Sequence, residues 1–178
     1  MFIHIPYPSE VSLHLDAATA PGALGIQGPL GRVRLDLSAL DPEGVCSLQW
    51  TPSSLALCVH PRHARIRGTV RALIAQGIHG VTQGWVVTLK VVGVGFRVEK
   101  EDTVLNVRLG QSHDVHFSIP SDVHILCSGN DIRVYGVDKG RVTQVAARLR
   151  GLKPLDAYKG KGIRYSDEEL RLKEGKKK

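Results

Sequence analysis

The sequence predicts an α+β protein with two similar small domains, each an antiparallel sheet with one packed helix, plus a basic C-terminal extension. Three observations predict this fold class: apolar residues alternate with period two along much of the chain, two stretches have helical periodicity, and positive charge is concentrated at one end. A chain of 178 residues with 42% apolar and 23% charged residues has an ordinary globular composition and room for two small domains.

Alternation of apolar and polar residues predicts the strands. Val33, Leu35 and Leu37, for example, alternate with polar residues, as in a half-buried strand of an antiparallel sheet. The predicted strand regions are 11–15, 33–37, 45–50, 55–59, 85–100, 103–109, 114–119, 123–127 and 132–135. The region 85–100 is expected to pair with 103–109 across a turn at 99–102.

Two stretches change to the helical period. Apolar residues and one glycine in the first stretch fall at i, i+4, i+7, i+8 and i+11, which predicts a helix that stops near Gly77 or Gly80. Its predicted face consists of Ile66, Val70, Leu73, Ile74 and Gly77. The second helix is predicted from the N-cap Asp138 to Gly151. Its predicted face consists of Val142, Val145, Ala146 and Leu149.

A weak internal repeat suggests the domain organisation. The pattern Leu24-x-Ile26-x-Gly28 is similar to Ile132-x-Val134-x-Gly136, and each half has strands followed by one helix. The alternative is that any two sheets share such alternation. We predict a first α+β domain at residues 1–82, a second α+β domain at 83–152 and a basic tail at 153–178.

The charge distribution predicts a polyanionic partner. Residues 139–178 carry 13 Lys and Arg against 5 Asp and Glu, whereas residues 1–138 carry 11 against 12. Nucleic acid and an anionic membrane surface both fit this asymmetry. Membrane binding would need a basic amphipathic helix with exposed aromatic residues. The predicted tail helix has only Leu170 and Leu172 for that purpose, so we predict no membrane partner.

The tail motif YKGKGIRY combines cations, glycines and aromatic rings within eight residues. Its cations could neutralise phosphates, its glycines could let the backbone approach RNA closely, and its tyrosines could stack on bases. The alternative is a solvated, disordered basic end. The candidate RNA-binding residues here are Tyr158, Lys159, Gly160, Lys161, Gly162, Arg164 and Tyr165.

The remainder of the tail predicts a short helix. Ser166 and Glu169 form a capping box before residues 170–173, and Gly175 could end the helix. Lys173 and the terminal Lys176, Lys177 and Lys178 are further candidates for phosphate contacts.

Two other groups of residues could extend a basic surface. Arg141 and Arg148 lie on one side of the second predicted helix, with Arg150 and Lys153 at its end. An ordinary solvated helix face, with cations favoured near the C-terminus, explains them equally well. Gly93 and Gly95, followed by Arg97, are predicted to share one strand face that approaches RNA or another backbone, or else packs within the sheet.

The sequence predicts no catalytic site, metal site or cofactor, and hence no enzyme. The G-x-G at 93–95 lacks the third glycine of a dinucleotide-binding loop. The pairs His60-x-x-His63 and His113-x-x-His116 lack a nearby third ligand. Ser112, His113 and Asp114 are consecutive, so in a strand their side chains would alternate between faces and could not form a triad.

The tail motif together with upstream segments resembles the large ribosomal subunit protein six family in its bacterial and organellar form. The segments that carry the resemblance, in the family's order, are 28–31, 68–73, 80–84, 89–97, 109–113, 119–120, 136–150, 158–165 and 173–178. The likeness covers essentially residues 5–178 and is specific from about residue 66 onward.

The resemblance implies a structural constituent of the large ribosomal subunit that binds large-subunit rRNA near the sarcin–ricin loop and the stalk base. Its implied partners are this rRNA, neighbouring large-subunit ribosomal proteins and, transiently, translational GTPases. The resemblance implies that the second domain, at 83–152, faces RNA and that the tail also contacts it. The leading contact residues, carried onto this sequence, are Lys159, Lys161, Arg164 and Lys173. The alternative function is a free nucleic-acid-binding protein outside the ribosome.

Two departures from the family pattern bear on these expectations. Leu155-Asp156-Ala157 stands where the family usually has Pro-Glu-Pro, which affects how the chain enters the tail. Divergence in residues 1–60 favours a mitochondrial ribosome, with a bacterial or plastid origin as alternatives. Deletion of residues 153–178 is expected to weaken RNA binding while both domains stay folded.

Overall fold

The computed structural model describes residues 2–16, 23–38, 41, 44–51, 54–60, 63–111 and 113–175. The chain forms two compact units. Unit 1 consists of Met1–Gly84 with Val137–Lys139, and unit 2 consists of Trp85–Gly136 with Gly140–Lys178.

Unit 1 contains six described strands and one helix. The strands are β1 (Phe2–Pro6), β2 (Ser12–Asp16), β3 (Ala23–Gly28), β4 (Gly31–Asp36), β5 (Cys46–Thr51) and β6 (Ser54–Val59), and the helix is α1 (Ala64–Thr82). They form two antiparallel three-stranded sheets, with strand orders β1-β6-β5 and β2-β3-β4. The helix packs against β3, β4 and β6, where Val70 and Ile74 join the apolar core.

Helix α1 extends past the two glycines at which the sequence predicted its end. Gly77 is buried, and a Cβ atom there would lie 2.7 Å from Cδ1 of Ile26 in β3. The glycine therefore permits close packing of helix on sheet rather than ending the helix. The helix ends at Thr82, close to Gly80, so the predicted end near Gly80 is confirmed and the alternative near Gly77 is wrong.

Unit 2 contains seven described strands and one helix. The strands are β7 (Trp85–Val92), β8 (Arg97–Glu101), β9 (Val104–Arg108), β10 (Val115–Ser118), β11 (Val123–Ser128), β12 (Asp131–Gly136) and β13 (Gly162–Tyr165), and the helix is α2 (Lys139–Leu152). They form an antiparallel three-stranded sheet of order β10-β9-β8 and an antiparallel four-stranded sheet of order β11-β12-β7-β13.

The core of unit 2 confirms the predicted face of the second helix. All four of its predicted members are buried against strands of both sheets. Helix α2 begins directly after Asp138, where the sequence placed the cap. Among the described residues of the whole chain, no polar or charged residue belongs to the buried class, so the two cores are apolar throughout.

Three details of unit 2 differ from the prediction. Region 85–100 is interrupted, because Gly93 and Gly95 lie in a turn between β7 and β8 and do not share a strand face. Strand β8 pairs with β9 as expected, whereas β7 pairs with β12 and β13. Part of the predicted tail is a strand, β13, and residues 168–175 form no helix.

The α+β fold class is confirmed, with two sheets rather than one in each unit. The predicted domain boundaries at 82/83 and 152/153 stay predictions about which parts fold independently.

Candidate nucleic-acid interface

The C-terminal segment, defined here as residues 153–175, begins with a closed turn around Asp156. The Asp156 carboxylate accepts hydrogen bonds from the backbone N–H groups of Tyr158 at 3.1 Å and Lys159 at 3.2 Å. The Asp156 carbonyl accepts a bond from Gly160 N–H, and the Asp156 N–H donates to the Lys161 carbonyl, both at 2.9 Å. An aspartate side chain that bonds to the backbone two and three residues on is a strong local turn former. The turn thus fixes the backbone conformation of residues 156–161, which carry Lys159 and Lys161.

The two glycines of the motif meet the chain's own atoms. Gly160 has φ +63°, and a Cβ there would contact Leu170 and Leu172 at 3.4 Å. Gly162 has φ +141°, and a Cβ there would lie 2.8 Å from the Pro154 carbonyl oxygen. Both positions therefore require glycine for the segment's own conformation, whether or not RNA approaches them.

Strand β13 joins the C-terminal segment to the edge of β7. Ile163 pairs with Val91, is fully buried in the core of unit 2, and donates its N–H to the Lys153 carbonyl at 3.0 Å. Just beyond the strand, Ser166 N–H donates to the Thr88 carbonyl at 2.9 Å. Residues 162–166 are thus an integral part of the sheet and not a free tail.

An ion pair fixes the segment to the end of α2. The Arg150 guanidinium donates two hydrogen bonds to the Glu168 carboxylate, at 2.6 and 3.2 Å, and lies 5.5 Å from the centroid of the Tyr165 ring. Glu168 also accepts a bond from Tyr165 N–H at 3.3 Å. The hydrogen bond from Arg150 is the main reason why the pKa of Glu168 lies below its ordinary value. We call Arg150, Tyr165 and Glu168 the latch.

The prediction of a helix at 170–173 is wrong, because the latch and a further backbone contact hold the chain in another conformation. Glu168 is engaged with Arg150, and Lys173 N–H donates to the Ala157 carbonyl at 2.9 Å, which returns the chain to the Asp156 turn. Ser166 uses its hydroxyl to bond to the Asp167 carboxylate at 2.6 Å. The local capping pattern is overridden by contacts with other parts of unit 2.

Three predicted cations of the segment face solvent. Lys159, Lys161 and Lys173 are exposed, as is Tyr158. Arg164 is half-buried, lies beside Lys90 in the strand register, and its Nε is buried without a hydrogen-bond partner among the described residues. Lys153 is half-buried before the turn. The turn and β13 therefore hold several positive charges on one connected piece of backbone.

The other predicted cations differ in how they are engaged. Arg150 belongs to the latch, and Arg141 pairs with Asp122 at 2.7 Å on the surface. Arg148 and Arg97 are exposed. Gly95, in the turn before Arg97, has φ +80° and open space around it.

Lys176, Lys177 and Lys178 lie outside the described residues, as does Ser112 of the serine, histidine and aspartate sequence. Within the described ranges, no three His, Cys, Asp or Glu side chains form a group that could hold a metal ion. None of the described helices is long and apolar enough to span a bilayer.

Sequence reasoning missed two residues that organise this region, Asp156 and Glu168. Asp156 precedes a Lys-Gly-Lys-Gly run, where an aspartate turn is a recognisable local pattern. No comparable local pattern points to Glu168, because its partner Arg150 is eighteen residues away in the chain.

The sequence is similar to a known protein family and to curated proteins. The model of the family described as ribosomal protein L6 matches residues 92–166. Large ribosomal subunit protein uL6m of Prototheca wickerhamii is 33% identical over 187 aligned positions, covering 98% of this chain and 95% of that protein. Large ribosomal subunit protein uL6 of Aquifex pyrophilus is 38% identical, covering 93% and 88%. The uL6 of Persephonella marina is 50% identical over 111 residues, 62% of each chain.

These relatives define the class as ribosomal proteins, which are structural proteins and not enzymes. The chain belongs to the ribosomal protein L6 family. The resemblance predicted from the sequence is therefore confirmed, and so is the prediction that the chain is not an enzyme.

Proposed function

We propose that this chain is a structural constituent of the large ribosomal subunit and binds large-subunit rRNA through the C-terminal segment. The observation that carries the proposal is the ordered presentation of the motif: the Asp156 turn, β13 and the latch hold the exposed Lys159 and Lys161 on a rigid backbone. Because the backbone that carries these cations is already ordered, phosphate binding need not pay the cost of ordering that backbone. The names of the relatives support the same subunit.

The proposed position is near the sarcin–ricin loop and the stalk base, where the chain would support the docking of translational GTPases and contact neighbouring ribosomal proteins. A mitochondrial ribosome is the proposed host, since a mitochondrial relative matches nearly the whole chain. Bacterial relatives match well too, so a bacterial or plastid ribosome is the alternative.

Sucrose-gradient fractionation of native lysate at low and high salt tests the proposal. We expect the chain to co-migrate with the large subunit through a high-salt wash. Loss into light fractions at moderate salt, or absence from subunits at any salt, would instead identify a free nucleic-acid-binding protein. Fractionation of organelles and cytoplasm before the gradient tests the compartment.

A further inference from the structure

The four-stranded sheet of unit 2 has one face that is not covered by its core. Alternation along β11, β12 and β7 directs one set of side chains toward α2 and the other set away from it. We call the outward set the open face. Its members include Val86, Lys90, His124, Leu126, Arg133 and Tyr135, and the carboxylate Asp131 lies on the same face.

Strand register arranges the open face in rows. His124, Tyr135 and Val86 lie side by side across three strands, and Leu126 and Arg133 lie side by side in the next row. Val86 and Leu126 remain 62% and 54% exposed, and Arg133 is exposed. His124 is also exposed, whereas Tyr135 and Lys90 are half-buried, so much of the open face is accessible to solvent.

The centre of the open face carries a pair of stacked rings. The ring centroids of His124 and Tyr135 are 5.2 Å apart, with an angle of 26° between the ring planes. A third planar ring can extend a stack of this kind. Nucleobases are suitable because every base has a π face, and four-stranded sheets with surface aromatics bind unpaired RNA in this way.

The charges on this face favour a polyanion. Arg133 forms no ion pair with the described residues, and Lys90 lies beside Arg164 in the adjacent strand. Asp131, opposite Lys90 in the register, is the one carboxylate on the open face, against the three cations Lys90, Arg133 and Arg164. The two exposed aliphatic side chains, Val86 and Leu126, lie on β7 and β11, and β12 runs between these strands. The open face therefore has little continuous apolar area for a protein partner.

We propose that the open face binds an unpaired stretch of RNA, with a base stacked on the His124–Tyr135 pair and a phosphate held by Arg133. This site deepens the proposed function and rests on it, since rRNA would supply the strand. It lies in a different part of the sequence from the motif at 158–165, although Arg164 of the motif adjoins it beside Lys90. The open face would read unpaired bases, whereas the motif cations would contact phosphates.

Binding of the full chain to a fluorescent ten-nucleotide single-stranded RNA tests the site, with a blunt RNA duplex of equal length for comparison. Tyr135→Leu is expected to lower single-strand affinity about 5- to 150-fold, because base–aromatic stacking contributes roughly 1–3 kcal/mol per base. Tyr135→Phe keeps the ring and should bind like the wild type. Duplex affinity should be the same in all three proteins.

A second measurement covers the case in which Tyr135→Leu does not fold. Wild-type protein is crosslinked to the same RNA carrying 4-thiouridine, and the crosslinked peptides are identified by mass spectrometry. Crosslinks within residues 123–136 are expected. Crosslinks confined to residues 153–175, or no binding of the single strand, would overturn the site.

The failure of this site is distinguishable from the failure of the proposed function. If the chain co-migrates with the large subunit but Tyr135→Leu and Tyr135→Phe bind RNA equally, the open face is wrong and the ribosomal role stands. If Tyr135→Leu instead releases a neighbouring ribosomal protein without changing RNA affinity, the face docks protein and the RNA site is wrong. If the chain stays off subunits yet shows the Tyr135 effect, the RNA site stands alone.

Discussion

At the scale of single residues, Glu168 links the C-terminal segment to α2 through two hydrogen bonds from Arg150. The side chains of Arg150 and Glu168 are 41% and 27% exposed, so solvent screens the pair partially. We expect Glu168→Gln to lower the free energy of unfolding by about 0.5–1 kcal/mol in urea denaturation. Glu169→Gln makes the same change at an exposed neighbour and should be close to neutral. Equal losses in the two variants would show that the latch does not stabilise the fold.

The same carboxylate predicts a dependence on pH. The pKa of Glu168 is lowered from 4.5, chiefly by the hydrogen bond from Arg150. A lowered folded-state pKa means that the stabilisation is complete above the unfolded-state pKa and is lost as pH falls through the folded-state value. The difference in urea midpoint between wild type and Glu168→Gln should therefore be largest near pH 7 and shrink below about pH 4. A difference that stays constant from pH 7 to pH 3 would contradict this linkage.

Gly162 is the glycine of the motif for which substitution should be most costly. Its φ of +141° strains any other residue, and a Cβ would lie 2.8 Å from the Pro154 carbonyl oxygen. Gly162→Ala is expected to cost about 2–4 kcal/mol of unfolding free energy. Gly175→Ala has open space around its Cβ and should change stability by less than about 0.5 kcal/mol. Comparable urea midpoints for both variants would contradict the packing role of Gly162.

At the scale of elements, periodicity predicted the buried face of α2 and most strands, because each of those elements has one face in an apolar core. The end of α1 was not predictable from Gly77. A glycine that ends a helix and one that lets a helix approach a sheet look the same in sequence, and Ile26 decides between them from a distant strand.

Strand β13 was missed for a related reason. It has four residues, begins with glycine, and directs Ile163 fully into the core, so it offers too little alternation to detect. What defines it is the free edge of β7, which exists once the rest of unit 2 has formed. The helix predicted at 170–173 is absent for a similar reason, because Glu168 and the Lys173 N–H bond to Arg150 and Ala157, which are distant in the chain.

The burial of Ile163 predicts how much β13 contributes to the free energy of unfolding. Ile163→Ala should lower the free energy of unfolding by about 2–5 kcal/mol, since it removes a fully buried side chain and leaves a cavity. Leu172→Ala shortens a side chain that is 56% exposed, and its effect should stay below about 1 kcal/mol. Urea denaturation measures both.

Ile163 also changes the expectation for deletion of residues 153–178. Because that deletion removes β13 and exposes the edge of β7, we expect it to destabilise unit 2. This differs from the expectation from sequence that both domains stay folded without residues 153–178. A native-like urea midpoint for the deleted protein would show that β13 contributes little to the fold. Substitutions of exposed lysines are the cleaner way to examine RNA binding.

At the scale of the whole molecule, the sequence predicts which part of the chain carries the excess positive charge. It does not predict which of those cations are exposed and which pair with other residues. Counting residues places the positive excess at 139–178. Three-dimensional structure separates these cations into those used internally, such as Arg150, and exposed ones such as Lys159. The open face had no sequence pattern, because the register of β11, β12 and β7 brings its residues together.

That separation predicts which charges dominate the salt dependence of RNA binding. The double variant Lys159→Gln/Lys161→Gln should weaken binding of the full chain to large-subunit rRNA about tenfold or more at low salt, and should reduce the slope of log affinity against log salt by up to about 2. Arg32→Gln/Arg34→Gln removes two exposed cations from β4 in unit 1, an equal change in net charge. Filter-binding titrations between roughly 50 and 300 mM salt, over which log affinity falls linearly with log salt, compare the two proteins. If both variants lose affinity and slope equally, net charge alone drives binding, and the ordered C-terminal segment has no special part in it.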